Sequence, residues 1–273
     1  MSCIVIDIGN TSTSVGLYDS GKVSCISAIR GGIADVSAAD LALKKAGGAD
    51  AGGAIIASVV PRDTPEWVWL LKRVYDIDAE ILTFNTPMPI GIDYPKPETI
   101  GADRLANACG AFVRYGSPAI IADFGTALTF DILDRRNKYY GGVIAPGLPL
   151  MTDYLHEKTA LLPKVELGGK IQPIGRSTEE AMKIGALIGH RGMVRESVSY
   201  LSKSRGSGEI RLCATGGYAR WALDGAGLPF HIDQDLTLFG QGTVFDCITN
   251  GRHGPRKKDL RSQRRAKTHI GKK

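Results

Sequence analysis

The sequence predicts an α/β protein of two lobes, each opening with a β-hairpin. Three observations carry this. An Asp-x-Gly turn occurs twice, 116 residues apart, each at the end of an apolar run: Cys3-Ile-Val-Ile-Asp7-Ile-Gly9 and Ala119-Ile-Ile-Ala-Asp123-Phe-Gly125. Each turn leads into a second strand-like stretch, at 14–18 and at 128–133. After each hairpin, short apolar runs alternate with helical patterns, which is the organisation of an α/β fold. The likeness between the halves stops at the motif, since no longer repeat is present.

The first lobe is expected over residues 1–117. Strand-like runs fall at 3–8, 14–18, 23–29, 54–60 and 79–83, with helical patterns at 36–46 and 65–75. Thr64 is placed to cap the second helix, and Pro65 suits its first position, where no N–H is needed. Pro87, Pro89, Pro95 and Pro97 make 86–98 an extended loop. A helix follows at 102–115, where Leu105, Ala108, Cys109, Phe112 and Val113 keep i, i+3, i+4 spacing. Gly116-Ser117-Pro118 marks the lobe boundary.

The second lobe is expected over 118–251. Strands are predicted at 119–123, 127–133 and 138–145, and Pro146-Gly147 opens a helical stretch. Residues 163–177 read as loop. Ser177-x-x-Glu180 has the form of a capping box for a helix at 178–203. A strand at 210–214 ends in Thr215-Gly216-Gly217, and a short helix, a strand near 228–232 and a last helix at 236–249 complete the body. Gly242 should weaken that last helix by about 1 kcal/mol relative to Ala.

Composition excludes several classes. The chain is 43% hydrophobic and 23% charged, ordinary for a globular protein. No apolar run reaches the roughly 18–20 residues of a membrane helix, so no membrane partner is expected. Met1 to Ile8 contains Asp7 and reads as a strand, without the pattern of a signal peptide. Five scattered cysteines without a CxxC pair point to free thiols and a reducing, cytoplasmic setting. The net charge of +6 is uneven. Residues 252–273 hold five Arg, five Lys and one Asp, so residues 1–251 carry 24 basic and 27 acidic side chains. The body is mildly acidic, which argues against nucleic acid as its partner, and the basic tail is expected to be disordered.

An Asp-x-Gly hairpin turn presents backbone N–H groups beside a fixed carboxylate. Such a nest suits phosphate, with the carboxylate holding a neutralising cation, although Asp and Gly also occur in turns for backbone reasons alone. Two such turns suggest two lobes facing one nucleotide. The chain lacks GxxxxGK[ST] and a strand-borne GxGxxG, which removes the P-loop and dinucleotide folds. Gly101-Ala102-Asp103-Arg104 opens the 102–115 helix. Asp103 there either serves the helix dipole or accepts a proton from a substrate hydroxyl, with Arg104 on an anionic group.

The two hairpins and the later Thr215-Gly216-Gly217, in that order, resemble the superfamily of acetate and sugar kinases, heat-shock chaperones and actin. Over roughly residues 3–250 the chain more closely resembles a type III pantothenate kinase. The matching segments are Asp7-Ile-Gly-Asn-Thr-Ser-Thr-Ser14, Tyr94, Gly101-Ala-Asp-Arg104, Asp123-Phe-Gly-Thr-Ala127, Gly141-Gly-Val-Ile-Ala-Pro-Gly147, Ser177-Thr178-Glu-Glu-Ala-Met182 and Thr215-Gly-Gly217. The resemblance implies two ribonuclease-H-like lobes and ATP-dependent phosphorylation of pantothenate, the first step of coenzyme A synthesis. It implies that Asp7, Ile8, Gly9, Asn10, Thr11, Ser12, Thr13 and Ser14 bind the phosphates of ATP, accompanied by Mg²⁺. Thr126 would contact ATP, and Gly216 and Gly217 would lie by the adenosine. Asp103 would be the base, and Tyr94, Gly101, Ala102, Asp103, Arg104 and Thr178 would contact pantothenate. Asp123 would hold a monovalent cation, K⁺ or NH₄⁺. Family members are homodimers with the pantothenate pocket near the interface. Two other classes compete: a DNA-associated transcriptional accessory protein of the same fold, and another small-molecule kinase of the superfamily.

Overall fold

The computed structural model describes residues 1–30, 36–204 and 209–253. The first sheet contains β1 (Cys3–Ile8), β2 (Ser12–Asp19), β3 (Lys22–Arg30), β4 (Ala54–Ser58) and β5 (Ala79–Ile81), in the order β3-β2-β1-β4-β5. β1, β2 and β3 form an antiparallel meander, and β4 and β5 add in parallel beside β1. Both faces of β1 are covered, which is why it reads as a continuous apolar run. Ile4, Ile6 and Ile8 pack with Leu43 of α1 (Val36–Lys45) and with Trp67 and Leu71 of α2 (Thr64–Tyr75). Cys3 and Val5 face the other way.

The second sheet repeats this arrangement. β7 (Ala119–Phe124), β8 (Ala127–Leu133) and β9 (Lys138–Pro146) form the meander, and β10 (Arg211–Thr215) and β11 (His231–Ile232) add in parallel beside β7. With β6 (Gly91–Ile92) at its edge, the order is β11-β10-β7-β8-β9-β6. The extra edge strand, β6, comes from inside the proline loop and pairs with β9. Two residues are too few to show a period, so the loop hid the strand. The outer face of this sheet is covered by α4 (Leu148–Lys158), α5 (Thr178–Ser204) and α6 (Ala219–Leu223), with Phe124, Phe130, Val194 and Ala222 in the core.

Between the sheets lie α3 (Ala102–Tyr115) and α7 (Leu236–His253). One core there joins Val5 and Ile55 of the first sheet, Leu105 and Cys109 of α3, Leu236 and Phe245 of α7, and Ile121 and Cys213 of the second sheet. The two helices cross in backbone contact. A Cβ added at Gly240 would lie 1.8 Å from Ala106 O, and one at Gly110 would lie 2.7 Å from Leu236 O. Gly242 has a similar cause: a Cβ there would stand 2.1 Å from the Tyr18 ring, whose hydroxyl donates to Asp246 Oδ2 at 2.6 Å.

Several boundaries differ from expectation. Thr64 is the first residue of α2 and does not cap it; its hydroxyl donates back to Ser58 Oγ at the end of β4 (2.7 Å). The strands expected at 54–60, 79–83 and 228–232 shorten to β4, β5 and β11. The capping box of α5 forms at Ser177 as expected, with only its return bond from Glu180 shifted by one residue. Ser177 Oγ accepts from Glu180 N (3.1 Å), while the Glu180 carboxylate accepts from Arg176 N (2.7 Å). Residues 252 and 253 continue α7, and the rest of the basic tail, 254–273, lies outside the described residues. All five cysteines are free, and among the described residues no helix is long and apolar enough to cross a membrane.

The helix crossing makes a direct prediction. Gly240→Val must push α7 off α3, and should lower stability by about 3 kcal/mol, the upper end for an overpacked core. Thermal unfolding of the variant beside the unaltered protein measures this. An unchanged Tm would show that the close approach is not a constraint.

Candidate functional site

The two hairpins meet above the α3–α7 crossing. In the first, Asp7 lies opposite Ser14 on β2, and Gly9 N donates to Ser12 O (3.0 Å) to tighten the turn. In the second, Asp123 lies opposite Thr129 on β8, and Gly125 N donates to Ala127 O (3.1 Å). The tips touch: Thr11 Oγ1 and Thr126 Oγ1 are 2.7 Å apart and share a hydrogen bond. Below them opens a cavity of about 490 Å³. Asp7, Gly9, Asn10, Thr11, Ser12, Ser14, Asp103, Asp123, Thr126, Gly216 and Gly217 all line it. Strand alternation excludes Ile8 and Thr13, which are buried and do not line the cavity.

Gly216 closes the floor. It follows Thr215, which pairs in register with Asp123. Its φ is +93°, and a Cβ there would lie 2.5 Å from Asp123 Oδ1. Conformation and space therefore both demand glycine. Gln234 Nε2 donates to Gly216 O (3.4 Å), tying the β11–α7 loop to this turn.

Three carboxylates, Asp7, Asp103 and Asp123, share the cavity, and among the described residues no lysine or arginine lines it. Their electrostatics follow. Burial pushes Asp7 up to about 8, with Asp103 and Asp123 adding to the effect. Burial pushes Asp123 up to about 7, reinforced by Asp103 and opposed by a hydrogen bond from Asn107. Asp103 is also raised by burial, held back by the Arg104 N–H (2.8 Å to Oδ1) and by the Arg104 charge. Among the described residues no three His, Cys, Asp or Glu side chains could hold a metal ion by themselves.

Sequence reasoning missed Asn107. It is fully buried one turn after Asp103, on the same face of α3. Its Nδ2 donates to Asp123 Oδ2 (3.0 Å), and its Oδ1 accepts from the Thr237 hydroxyl on α7 (2.7 Å). With both ends of the amide engaged, the chain Thr237–Asn107–Asp123 fixes that carboxylate. The Asp103-x-x-x-Asn107 spacing was the available signal; Thr237, 130 residues away, gave none.

The remaining predicted residues fall in two places. Gly101, Ala102 and Arg104 surround the start of α3, and Arg104 pairs with Asp131 on β8. Tyr94 meets the nearby Tyr139 edge to face, with ring centroids 6.1 Å apart. Thr178 is not brought to the cleft. It lines a separate groove of about 420 Å³ with Met151, Leu155, Leu162 and Met182, between α4 and α5. Another cavity, of about 310 Å³, lies at the opposite end of the second sheet beside Pro118, Asp134 and Arg136 and contains none of these residues.

Comparison with known proteins adds three findings. Residues 3–200 match the family model for type III pantothenate kinase. A type III pantothenate kinase from Methylacidiphilum infernorum is 40% identical over 243 residues, which is 87% of this chain and 85% of that one. Among solved structures, component A of the (R)-2-hydroxyglutaryl-CoA dehydratase of Acidaminococcus fermentans superposes with a TM-score of 0.54 at 12% identity, covering 92% of this chain and 99% of that one. A ROK family glucokinase from Streptomyces griseus superposes with a TM-score of 0.51 at 15% identity, covering 93% and 100%. At such identities the two superpositions establish the fold alone, and it is the expected pair of ribonuclease-H-like lobes.

The carboxylate cluster predicts a pH dependence. A carboxyl whose folded pKa is raised above the unfolded value of about 4 binds its proton more tightly when folded. Its contribution is present at low pH and is lost as pH rises through about 7 for Asp123 and about 8 for Asp7. Without nucleotide or added cations, the protein should therefore melt lower at pH 9 than at pH 6. Asp7→Asn should flatten the slope, measured by thermal melts at constant ionic strength. A slope unmoved by the substitution would refute the raised Asp7.

Proposed function

The chain belongs to the type III pantothenate kinase family, and from that premise we propose that it transfers the γ-phosphoryl group of ATP to the primary hydroxyl of pantothenate. The observation that carries this is the convergence of two Asp-x-Gly hairpins and Asp103 on one cavity. Phosphoryl transfer depends mainly on positioning and charge neutralisation. The hairpin N–H groups of 7–14 and the hydroxyls of Thr11 and Thr126 would hold the ATP phosphates, and Gly216 and Gly217 leave room for the adenosine. Asp103 would take the hydroxyl proton as the new O–P bond forms and the bond from the γ-phosphorus to ADP breaks. Its raised pKa makes it the better base. Tyr94, Gly101, Ala102 and Arg104 would bind the acceptor.

The residues present fit cations. Three carboxylates facing a polyphosphate with no basic side chain among the lining residues would repel it. Asp7 would hold Mg²⁺ together with the phosphates, the usual way that ion is bound, and Asp123 would hold K⁺ or NH₄⁺. When bound, these ions neutralise the polyphosphate charge.

The same reading includes a homodimer in the cytoplasm, lobes at 1–117 and 118–251, and no nucleic-acid partner. α4, α5 and the segment between them leave Leu150, Tyr154, Leu161, Ile174 and Ile188 exposed, Leu161 at 90%. Association through this face would cover those side chains and is the arrangement in which Thr178, absent from its own chain's cleft, would serve an acceptor site.

Two measurements test the proposal. Asp103→Asn should keep the fold and lower kcat for pantothenate phosphorylation by about 10²–10⁴-fold, the usual worth of a positioned base; near-normal turnover would remove Asp103 from the chemistry. Replacing Na⁺ stepwise with K⁺ at fixed ionic strength should raise turnover, and Asp123→Ala should lose the response. A flat profile for the unaltered protein would remove the monovalent cation from Asp123.

A further inference from the structure

We infer that Asp131 and Tyr139 form a side-on clamp that turns the Arg104 guanidinium, so that its end-on edge receives a carboxylate on the acceptor and the site selects anionic acceptors. The inference rests on the kinase reading above and assigns two positioning residues to it.

The geometry is specific. Arg104 Nε donates to Asp131 Oδ1 at 2.8 Å, and Nη2 lies 2.7 Å from the same oxygen. The Tyr139 hydroxyl, from β9, donates to that oxygen as well, at 2.7 Å. A guanidinium carries five donors in one plane. The clamp engages the Nε–Nη2 side. Among the described residues Nη1 makes no protein hydrogen bond, and Nη2, engaged with Asp131 through one hydrogen, keeps its second for the Nη1–Nη2 edge, which matches a carboxylate in bidentate fashion. β9 passes the guanidinium with bare backbone: a Cβ at Gly142, which pairs with Asp131, would stand 1.7 Å from Phe130 O and 2.8 Å from Arg104 Nη2.

A purely structural role explains the pair poorly. The Asp131 side chain is 1% exposed and that of Arg104 is 13% exposed. Buried ion pairs add little net stability compared with apolar packing. All three donors crowd one oxygen, while Asp131 Oδ2 is buried without a partner. That is a poor way to stabilise a fold and an effective way to fix a plane. Tyr139 further restrains it, with Arg104 Cζ 5.9 Å from the ring centroid.

Charge gives the clamp its purpose. Asp7, Asp103 and Asp123 line the cleft, and no lysine or arginine among its lining residues offers an acceptor carboxylate a partner. Arg104 is the one cation among the acceptor-site residues Tyr94, Gly101, Ala102, Asp103 and Arg104. The carboxylate end of an acceptor is therefore directed toward β8 and β9, and its hydroxyl end toward Asp103. An arginine left free could swing its edge and lose that register.

The test compares pantothenate with pantothenyl alcohol, which carries CH₂OH in place of the carboxylate. The readout is the ratio of the two kcat/KM values, for the unaltered protein, Asp131→Asn and Tyr139→Phe, with the KM for ATP as control. The unaltered protein should prefer pantothenate. Asp131→Asn should reduce that preference on the order of tenfold, the worth of about one charge-assisted hydrogen bond. Tyr139→Phe should reduce it less, and the KM for ATP should stay unchanged in both. If Asp131→Asn fails to fold, Tyr139→Phe decides, because it keeps the ring. A preference unmoved in a folded variant, with the unaltered protein active on pantothenate, overturns the clamp alone. An unaltered protein that phosphorylates neither compound overturns the kinase reading and the clamp with it.

Discussion

Helices α3 and α7 touch backbone to backbone where Ala106 and Gly110 meet Gly240, and the placement of Asp103, Asn107 and Thr237 follows from that contact. α3 carries Asp103 and Asn107, and α7 carries Thr237. A thicker residue at the crossing would separate the helices and break the bond from Thr237 to Asn107. Asp123 would then lose the amide that holds its second oxygen. The same helix pair fills the space between the sheets, so it also sets how far apart the two hairpins stand. Core packing and site geometry are here one constraint, because protein interiors are dense enough to transmit small displacements.

The cleft concentrates negative charge in a place where folding alone gains nothing from it. All three carboxyls are raised by burial, and Asp7 and Asp123 further by their acidic neighbours, which is a standing cost; perturbed acids of this kind gather at functional sites. Asp131 differs from them. It too is pushed up by burial, to about 6, but Arg104 pulls against the shift. Asp131 is matched by an arginine side chain, whereas Asp103 is tempered by the Arg104 backbone N–H and charge and Asp123 by the Asn107 amide.

What the sequence made legible was local. An apolar run, an Asp-x-Gly turn and a second run define a hairpin within a dozen residues, and both hairpins form where expected. The start of α3 and the capping of α5 were read from neighbours three or four positions apart. What stayed hidden was set by distant partners. β6 exists because β9 offers it an edge. Asn107 matters through Thr237 and Asp123, and Arg104 is aimed by Asp131 and Tyr139. Gly242 looked like a flaw in a helix; the Tyr18 ring, more than two hundred residues earlier, occupies the space a side chain would need. Thr64 looked like a cap until Ser58 claimed its hydroxyl.

The hydrogen bond between Thr11 and Thr126 is where the tips of the two hairpins fasten to each other. Beneath it the halves are joined by the packed side chains of the α3–α7 core. Both hydroxyls line the cavity, so the outermost link between the halves is the one a polar ligand would reach first. A charged ligand that bonded to both hydroxyls would replace a neutral bond by stronger, charge-assisted ones and would tighten the seam at its rim.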